Sequence, residues 1–264
     1  MPRKWSKDEE SEHRNKLQEL YVYENLTISE IARVLTISEK TVFQRLKRLN
    51  IPTSPEKKLR YRNQRNDISI PSKYSPELAE LLGILYGDGH INTYQVTVTL
   101  GNKEDSYALY VQNLIFTIFK GTPKISIRKN GYKVVYLGST KAVQYLHSFG
   151  LTNNKVRDQI DAPKWITSKE IYQKRFLRGF FDTDGSVYKL KYGIQISFTN
   201  HSSPLLYSLQ EMLLRLEYSP SSLSNVTFYV TRQKDVRRFF KEIQPKNKKH
   251  VERYNKIVAA RVGT

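Results

Sequence analysis

The chain has 264 residues, with 44 Lys and Arg against 25 Asp and Glu, a formal net charge of +19 and no cysteine. That length holds two domains, or one domain with a small appendage, and 39% hydrophobic content is enough for a packed core. A missing thiol excludes disulfides, thiolate zinc sites and cysteine nucleophiles.

The positive surplus costs self-repulsion unless a polyanion neutralises it, which points to nucleic acid. The cations are spread along the chain rather than set opposite a continuous apolar face, so a membrane surface is the weaker partner. The N-terminal MPRKWSKDEESEHRNK holds no apolar core of signal-peptide length, and no segment reaches the roughly 18 uncharged apolar residues of a spanning helix. A soluble intracellular protein, of the cytoplasm, nucleoid or an organelle, is expected.

In chain order, residues 1–52 read as a small helical module. Three short helices are predicted between about Asn15 and Ile51: NKLQELYVYEN, then ISEIARVL after Thr27, then EKTVFQRLKRL after Ser38. Thr27 and Ser38 suit N-caps, since a side-chain oxygen accepts from free amides of the first turn. Ile31, Ala32 and Leu35 form one apolar stripe, and Val42, Leu46 and Leu49 another. The pair resembles a helix-turn-helix in which small Ala32 allows a close crossing and Thr36 replaces the usual turn glycine. That likeness implies a second helix in the major groove, with Lys40, Gln44 and Arg45 toward DNA. Gln44 and Arg45 suit base edges, whereas Lys47 and Arg48 suit phosphates. The alternative is a helical hairpin that only packs on the main domain.

Residues 53–75 break the pattern with prolines and many cations and read as a linker. Lys57, Lys58, Arg60, Arg62 and Arg65 can track a phosphate backbone or stand as a merely solvated charge run.

From there the chain repeats itself: residues 76–168 form one copy and 169–264 another. ELLGILYGDGHI (80–91) and FLRGFFDTDGSV (176–187) open the copies, and each is followed by a strand of strict alternation, YQVTVTL or GIQISFT. Val96, Val98, Leu100, Ile194, Ile196 and Phe198 are predicted to face inward; Gln95, Thr97, Thr99, Gln195, Ser197 and Thr199 face outward. An amphipathic helix, a second hairpin and a further helix complete each copy. The hairpin in the first copy turns at Asn130-Gly131, a type I′ signal.

The two motifs resemble those of LAGLIDADG homing endonucleases in their single-chain, two-repeat form. The likeness covers roughly residues 76–264. It implies an α+β fold of two pseudo-symmetric αββαββα repeats that form a DNA-binding saddle, beside the small all-α module. Gly83 and Gly87, like Gly179 and Thr183, fall one helical turn apart, where small side chains let two helices approach closely. If the motif helices pair about a pseudo-twofold axis, their C-terminal ends bring Asp88 and Asp184 together. Two close carboxylates stay ionised only when cations compensate them, and Mg²⁺, or another divalent cation, suits an oxygen site beside phosphate. Such a site is suited to phosphodiester hydrolysis.

Position by position, the resemblance makes Asp88 and Asp184 metal-binding acids, and the backbone carbonyls of Gly87 and Thr183 main-chain ligands. It makes Lys155 and Lys248 the lysines that offset the developing phosphorane, with Lys246 a rival for the second. It places Asn102 and Asn200 where a polar residue orders water. Tyr86 departs from the motif's first aspartate, which the second copy keeps as Asp182. His90 is read as a surface or packing residue.

The outward face, Gln95, Thr97, Thr99, Ser126, Arg128, Gln195, Ser197, Thr199, Thr227 and Tyr229, is predicted to point into the major groove. The halves differ there, so a long asymmetric site is expected. The expected function is a site-specific, metal-dependent double-strand DNA endonuclease of a mobile element, acting as a monomer. Alternatives are a DNA-binding regulator that has lost cleavage, or a maturase that binds structured intron RNA.

Overall fold

A computed structural model describes residues 5–24, 26–53 and 67–262, which fall into two compact units, one within 5–53 and one within 67–262. The connector cations Lys57, Lys58, Arg60, Arg62 and Arg65 lie outside the described residues.

The first unit opens at Ser6, whose hydroxyl accepts from the Glu9 amide while the Glu9 carboxylate accepts from the Ser6 amide. This reciprocal cap satisfies two free N–H groups and starts α1 (Lys7–Gln18) well ahead of the expected Asn15. The early turns bury only Leu17, so they carry no apolar period to read. The chain continues through a π-helical turn, Glu19–Tyr23, into α2 (Ile28–Val34) and α3 (Glu39–Arg48). Thr27 and Ser38 cap these two helices as expected, with Glu30 completing a capping box. Ile31, Val42, Leu46 and Leu49 are fully buried together with Leu17 and Leu20. Between α2 and α3, Thr36 takes φ 54°, the left-handed conformation that a glycine accepts at little cost.

In the second unit the first half runs α4 (Pro76–Tyr86), β1 (Gly89–Ile91), β2 (Gln95–Leu100), α5 (Asp105–Phe119), β3 (Lys124–Ile127), β4 (Lys133–Gly138) and α6 (Thr140–His147). After a 3₁₀ turn, Lys164–Ser168, come α7 (Glu170–Asp184), β5 (Gly185–Leu190), β6 (Gly193–Thr199), α8 (Ser203–Arg215), β7 (Thr227–Val230), α9 (Gln233–Glu242) and α10 (Lys248–Val262). The strands form two antiparallel sheets, β1-β2-β4-β3 and β5-β6-β7.

Two expectations change. The second copy's third strand is reduced to isolated bridges, Pro220 to Val230 and Ser224 to Thr227, and between them the Tyr229 amide donates to the Ser221 hydroxyl (3.0 Å) in place of a ladder carbonyl. At the Asn130-Gly131 turn only Gly131 has positive φ (82°), so the turn is not type I′. Gly131 N–H donates to Arg128 O (2.8 Å) and Arg128 N–H to Tyr132 O (2.8 Å), the pattern of a type I turn closed by a glycine bulge.

Residues 67–75, read as linker, pack on this unit. Ile68 is buried in its core and fills the space beside Gly121, and Ser69 N–H donates to Phe119 O at 2.8 Å. At the centre lie α4 and α7, where Leu78 to Tyr86 and Phe176 to Thr183 are buried. The inward residues of β2 and β6 cover them with Val96, Val98, Leu100, Ile194, Ile196 and Phe198, all buried. Each such side chain contributes about 1.5–3 kcal/mol relative to exposure.

Candidate active site

The sequence allows α4 and α7 to touch backbone to backbone. A Cβ on Gly83 would stand 2.2 Å from Phe176 O and 2.8 Å from Phe180 N; one on Gly179 would stand 2.1 Å from Glu80 O and 2.9 Å from Ile84 N. The contacts are reciprocal, and only glycine fits either position. One turn further on, a Cβ on Gly87 would lie 2.1 Å from Thr183 Oγ1. The Thr183 hydroxyl is turned back on its own helix, donating to Phe180 O (2.9 Å) and Gly179 O (3.2 Å). Toward the other end, buried Glu80 accepts from Arg175 (2.6 Å) and from Tyr110, locking the pair in register.

The paired helices end together, and with them Asp88 and Asp184. Burial raises the Asp184 carboxyl to about 6; the charge of Asp88 adds to this, while a hydrogen bond from Asn200 and the charges of Lys155 and Lys249 oppose it. Asn200 Nδ2 donates to Asp184 Oδ2 at 2.9 Å. Asp88 keeps an exposed surface, yet protein crowds its flanks and desolvation raises its pKa, opposed by Lys249 and Lys155 and assisted by Glu104. Each aspartate feels the same two lysines.

Lys155, one of the two lysines proposed from the sequence, lies against the end of α4. Its ammonium donates to Leu85 O (2.9 Å), Tyr86 O (3.1 Å) and Gly87 O, the carbonyls that end α4 and carry the negative end of its dipole. Burial lowers its pKa to about 8 against the pull of Asp184 and Asp88.

On the other side a lysine not proposed from the sequence, Lys249, acts on the aspartates. Lys248 opens α10 and is exposed, and Lys246 is exposed while its backbone amide donates to Asp182. Lys249, not singled out from the sequence, is the one whose charge acts on both Asp88 and Asp184. Consecutive helical residues point about 100° apart, so the adjacent Lys248 and Lys249 cannot be ranked without the phase of α10. Lys249 Nζ pairs with Glu104 Oε1 at 3.0 Å. Glu104 also accepts from Asn247 Nδ2 and the Gly101 amide. Exposed Asn102 has no such place: its carbonyl accepts from buried Lys133.

The donor set fits a hard divalent cation. Two carboxylates lie close enough for one to raise the pKa of the other, and main-chain carbonyls at the end of α4 already converge on an ammonium. Among the described residues no three His, Asp or Glu side chains converge as a metal cage, so side-chain ligation would fall to the aspartate pair.

On the sheets, Gln95, Thr97, Thr99, Gln195, Thr227 and Tyr229 are half-exposed and Ser126, Arg128 and Thr199 exposed. Ser197 is 2% exposed, which corrects its expected outward reach: it is small, on a central strand, between Ser186 and Tyr229. Thr199 and Thr227 hydrogen-bond each other (2.9 Å). In the first unit Lys40 and Gln44 are exposed, whereas the Arg45 and Arg48 guanidinium groups lie 5.5 and 4.0 Å from the Trp5 ring centroid.

Paired glycine-faced helices, one followed within two residues by Asp88 and the other ending in Asp184, with an antiparallel sheet after each, define the class of fold. Residues 172–244 match the family model of the LAGLIDADG-like domain, a stretch that runs from α7 through α9 and includes Asp184. Among curated proteins the chain is similar to a replication factor C small subunit of Methanocaldococcus jannaschii, 28% identical over 161 residues, which is 60% of this chain and 9% of that protein. It is also similar to the replication factor C small subunit of Thermococcus kodakarensis, 26% identical over 69% of this chain and 21% of that protein. The matches thus span less than a quarter of those relatives' length. Similar solved structures include the homing endonuclease I-DmoI in complex with DNA and Mn, 20% identical over 64% of this chain and 96% of that chain, TM-score 0.47. Another is full-length DUF199/WhiA from Thermatoga maritima, 18% identical over 73% of this chain and 63% of that chain, TM-score 0.47. Among the described residues no helix is long and apolar enough to cross a membrane.

Proposed function

We propose that this chain is a site-specific, divalent-metal-dependent double-strand DNA endonuclease of the homing type. In this reading it consists of two pseudo-symmetric repeats, with a helix-turn-helix that extends the DNA contact. The observation that carries the proposal is the meeting of Asp88 and Asp184 at the ends of two helices in backbone contact, within the field of Lys155 and Lys249. The reciprocal fit of Gly83 and Gly179 supports the repeat reading, since each glycine meets the equivalent atoms of the other helix.

Asp88 and Asp184, with the carbonyls of Gly87 and Thr183, would hold Mg²⁺, which when bound activates water and stabilises the entering and leaving oxygens. Asn200 fixes the Asp184 carboxylate by its hydrogen bond. Lys155 and Lys249 offset charge that develops on the phosphoryl oxygens, an electrostatic task suited to a partly desolvated site. Gln95, Thr97, Thr99, Arg128, Gln195, Thr227 and Tyr229 face the major groove, and Lys40 and Gln44 of α3 also contact DNA.

The test is cleavage of supercoiled plasmid that carries the sequence flanking the coding region, with Mg²⁺ and with EDTA, by the wild type and by Asp88→Asn and Asp184→Asn. Metal-dependent linearisation lost in both variants is expected. Tight binding of one site without any cutting would replace the proposal with a DNA-binding regulator, and stimulated intron splicing with a maturase.

A further inference from the structure

We propose that Glu104 is a positioning residue that sets Lys249 over the Asp88 side of the site and makes the two halves chemically unequal. The inference deepens the endonuclease reading and rests on it for its consequence, though not for its geometry.

Glu104 sits just after β2 and before α5, and its side chain is 11% exposed. Lys249 lies near the start of α10 with a 43% exposed side chain. A lysine that exposed, on four rotatable bonds, has no fixed place of its own. The nearly buried carboxylate supplies one, through the 3.0 Å ion pair. Glu104 simultaneously accepts from Asn247 Nδ2 and from the Gly101 amide. Asn247 Nδ2 also donates to Asp182 O at 2.9 Å, so the contact is braced from α7 as well. A carboxylate of the first half thus anchors an ammonium and an amide of the second.

The residue in the corresponding place before α8 is the uncharged Ser202, and two residues earlier Asn200, a neutral amide, donates directly to Asp184. Among the described residues no carboxylate hydrogen-bonds Lys155; carbonyls of α4 hold it. One half therefore carries an anion–ammonium pair beside its aspartate and the other an amide–carboxylate bond. The two strands of a duplex would meet different electrostatics and be cut at different rates.

Glu104→Gln removes the charge that holds Lys249 and leaves one acceptor oxygen, which can serve either Asn247 Nδ2 or the Gly101 amide. With strand-specific end labels, this variant is expected to slow one strand by roughly tenfold or more, the loss of one hydrogen bond to a charged group. The other strand is expected to change by less than about twofold, so nicked product accumulates. Lys249→Met should give the same strand defect, and the double variant should be no slower than Lys249→Met alone, since both remove one interaction. An equal slowing of both strands, wild-type rates on both, or multiplying defects would overturn the proposal.

A second measurement does not need cleavage. In the full chain with ¹³C-methylated lysines, the Lys249 resonance, assigned by its loss in Lys249→Met, is expected to stand apart from the bulk lysine signal and to merge with it in Glu104→Gln. A Lys249 signal unmoved by Glu104→Gln overturns the anchor. A wild type that cuts nothing but shows the shift overturns the endonuclease reading and leaves the anchor standing.

Discussion

Asp184→Asn is expected to stabilise the metal-free protein. Its carboxyl is raised from the ordinary 3.8 to about 6, chiefly by burial and then by the charge of Asp88. At about 1.36 kcal/mol per pKa unit, the ionised carboxylate therefore costs the fold about 3 kcal/mol at pH 7. The asparagine is isosteric, and its carbonyl still accepts from Asn200 Nδ2, so the variant removes charge while keeping the hydrogen bond. At about 2–4 °C per kcal/mol for a chain of this size, the midpoint should rise by about 6–12 °C in EDTA at pH 7, followed by circular dichroism. The sign follows from linkage: the folded carboxyl binds its proton near 6 and the unfolded one near 3.8, so wild-type stability grows as pH falls between those values. Asp184→Asn cannot titrate there, and its advantage should shrink through that window and vanish near pH 4. A variant no more stable than wild type at pH 7, or an advantage that does not narrow on acidification, would refute the reasoning.

The glycine contact gives a second expectation. Gly179→Ala places a Cβ 2.1 Å from Glu80 O, and backbone cannot swing aside as a side chain can, so guanidinium unfolding should show a loss of about 1–3 kcal/mol or more. Gly83→Ala should behave alike, and wild-type stability in either would contradict the close pairing of α4 and α7. Thr36→Gly should relieve a left-handed backbone worth about 1–2 kcal/mol, less about 0.5–1 kcal/mol of glycine's added unfolded freedom. Slower hydrogen exchange in α2 and α3 would report the net gain, and faster exchange would oppose it. Tyr86→Phe removes the donor to Phe149 O (2.5 Å) and should cost about 1 kcal/mol in a denaturant titration.

The sequence disclosed those features that depend on a period or on a fixed residue type. Thr27 and Ser38 cap their helices, the alternating strands bury the expected faces, and the small residues at 83, 87, 179 and 183 meet across the helix pair. What stayed hidden depends on contacts between distant segments or on helical phase. Glu104 comes beside Lys249 only through folding, and no spacing announces that. Lys248 and Lys249 are adjacent letters on different faces of α10. Ser197 alternates correctly, yet its neighbours across the sheet, Ser186 and Tyr229, leave it almost no surface. Trp5, outside any readable period, lies close to the guanidinium groups of Arg45 and Arg48.

Tyr86 and Asp182 occupy the same place in their helices, two residues before Asp88 and Asp184, and the structure explains how they can differ. Tyr86 donates its hydroxyl to Phe149 O, at the end of the first half's α6 region. Asp182 accepts from the backbone amides of Lys246 (2.9 Å) and Asn247 (3.0 Å), ahead of α10. Each anchors the segment that delivers a lysine, Lys155 a few residues past Phe149 and Lys249 two residues past Asn247. Where the segment offers a carbonyl the helix needs a donor, and a phenol supplies it. Where it offers free amides at a helix start the helix needs an acceptor, and a carboxylate supplies it. Full burial raises Asp182 to about 7, and those two amides are the largest force holding it down. The departure at Tyr86 therefore preserves the mechanical task, because the constraint at this position is the polarity that the returning segment presents.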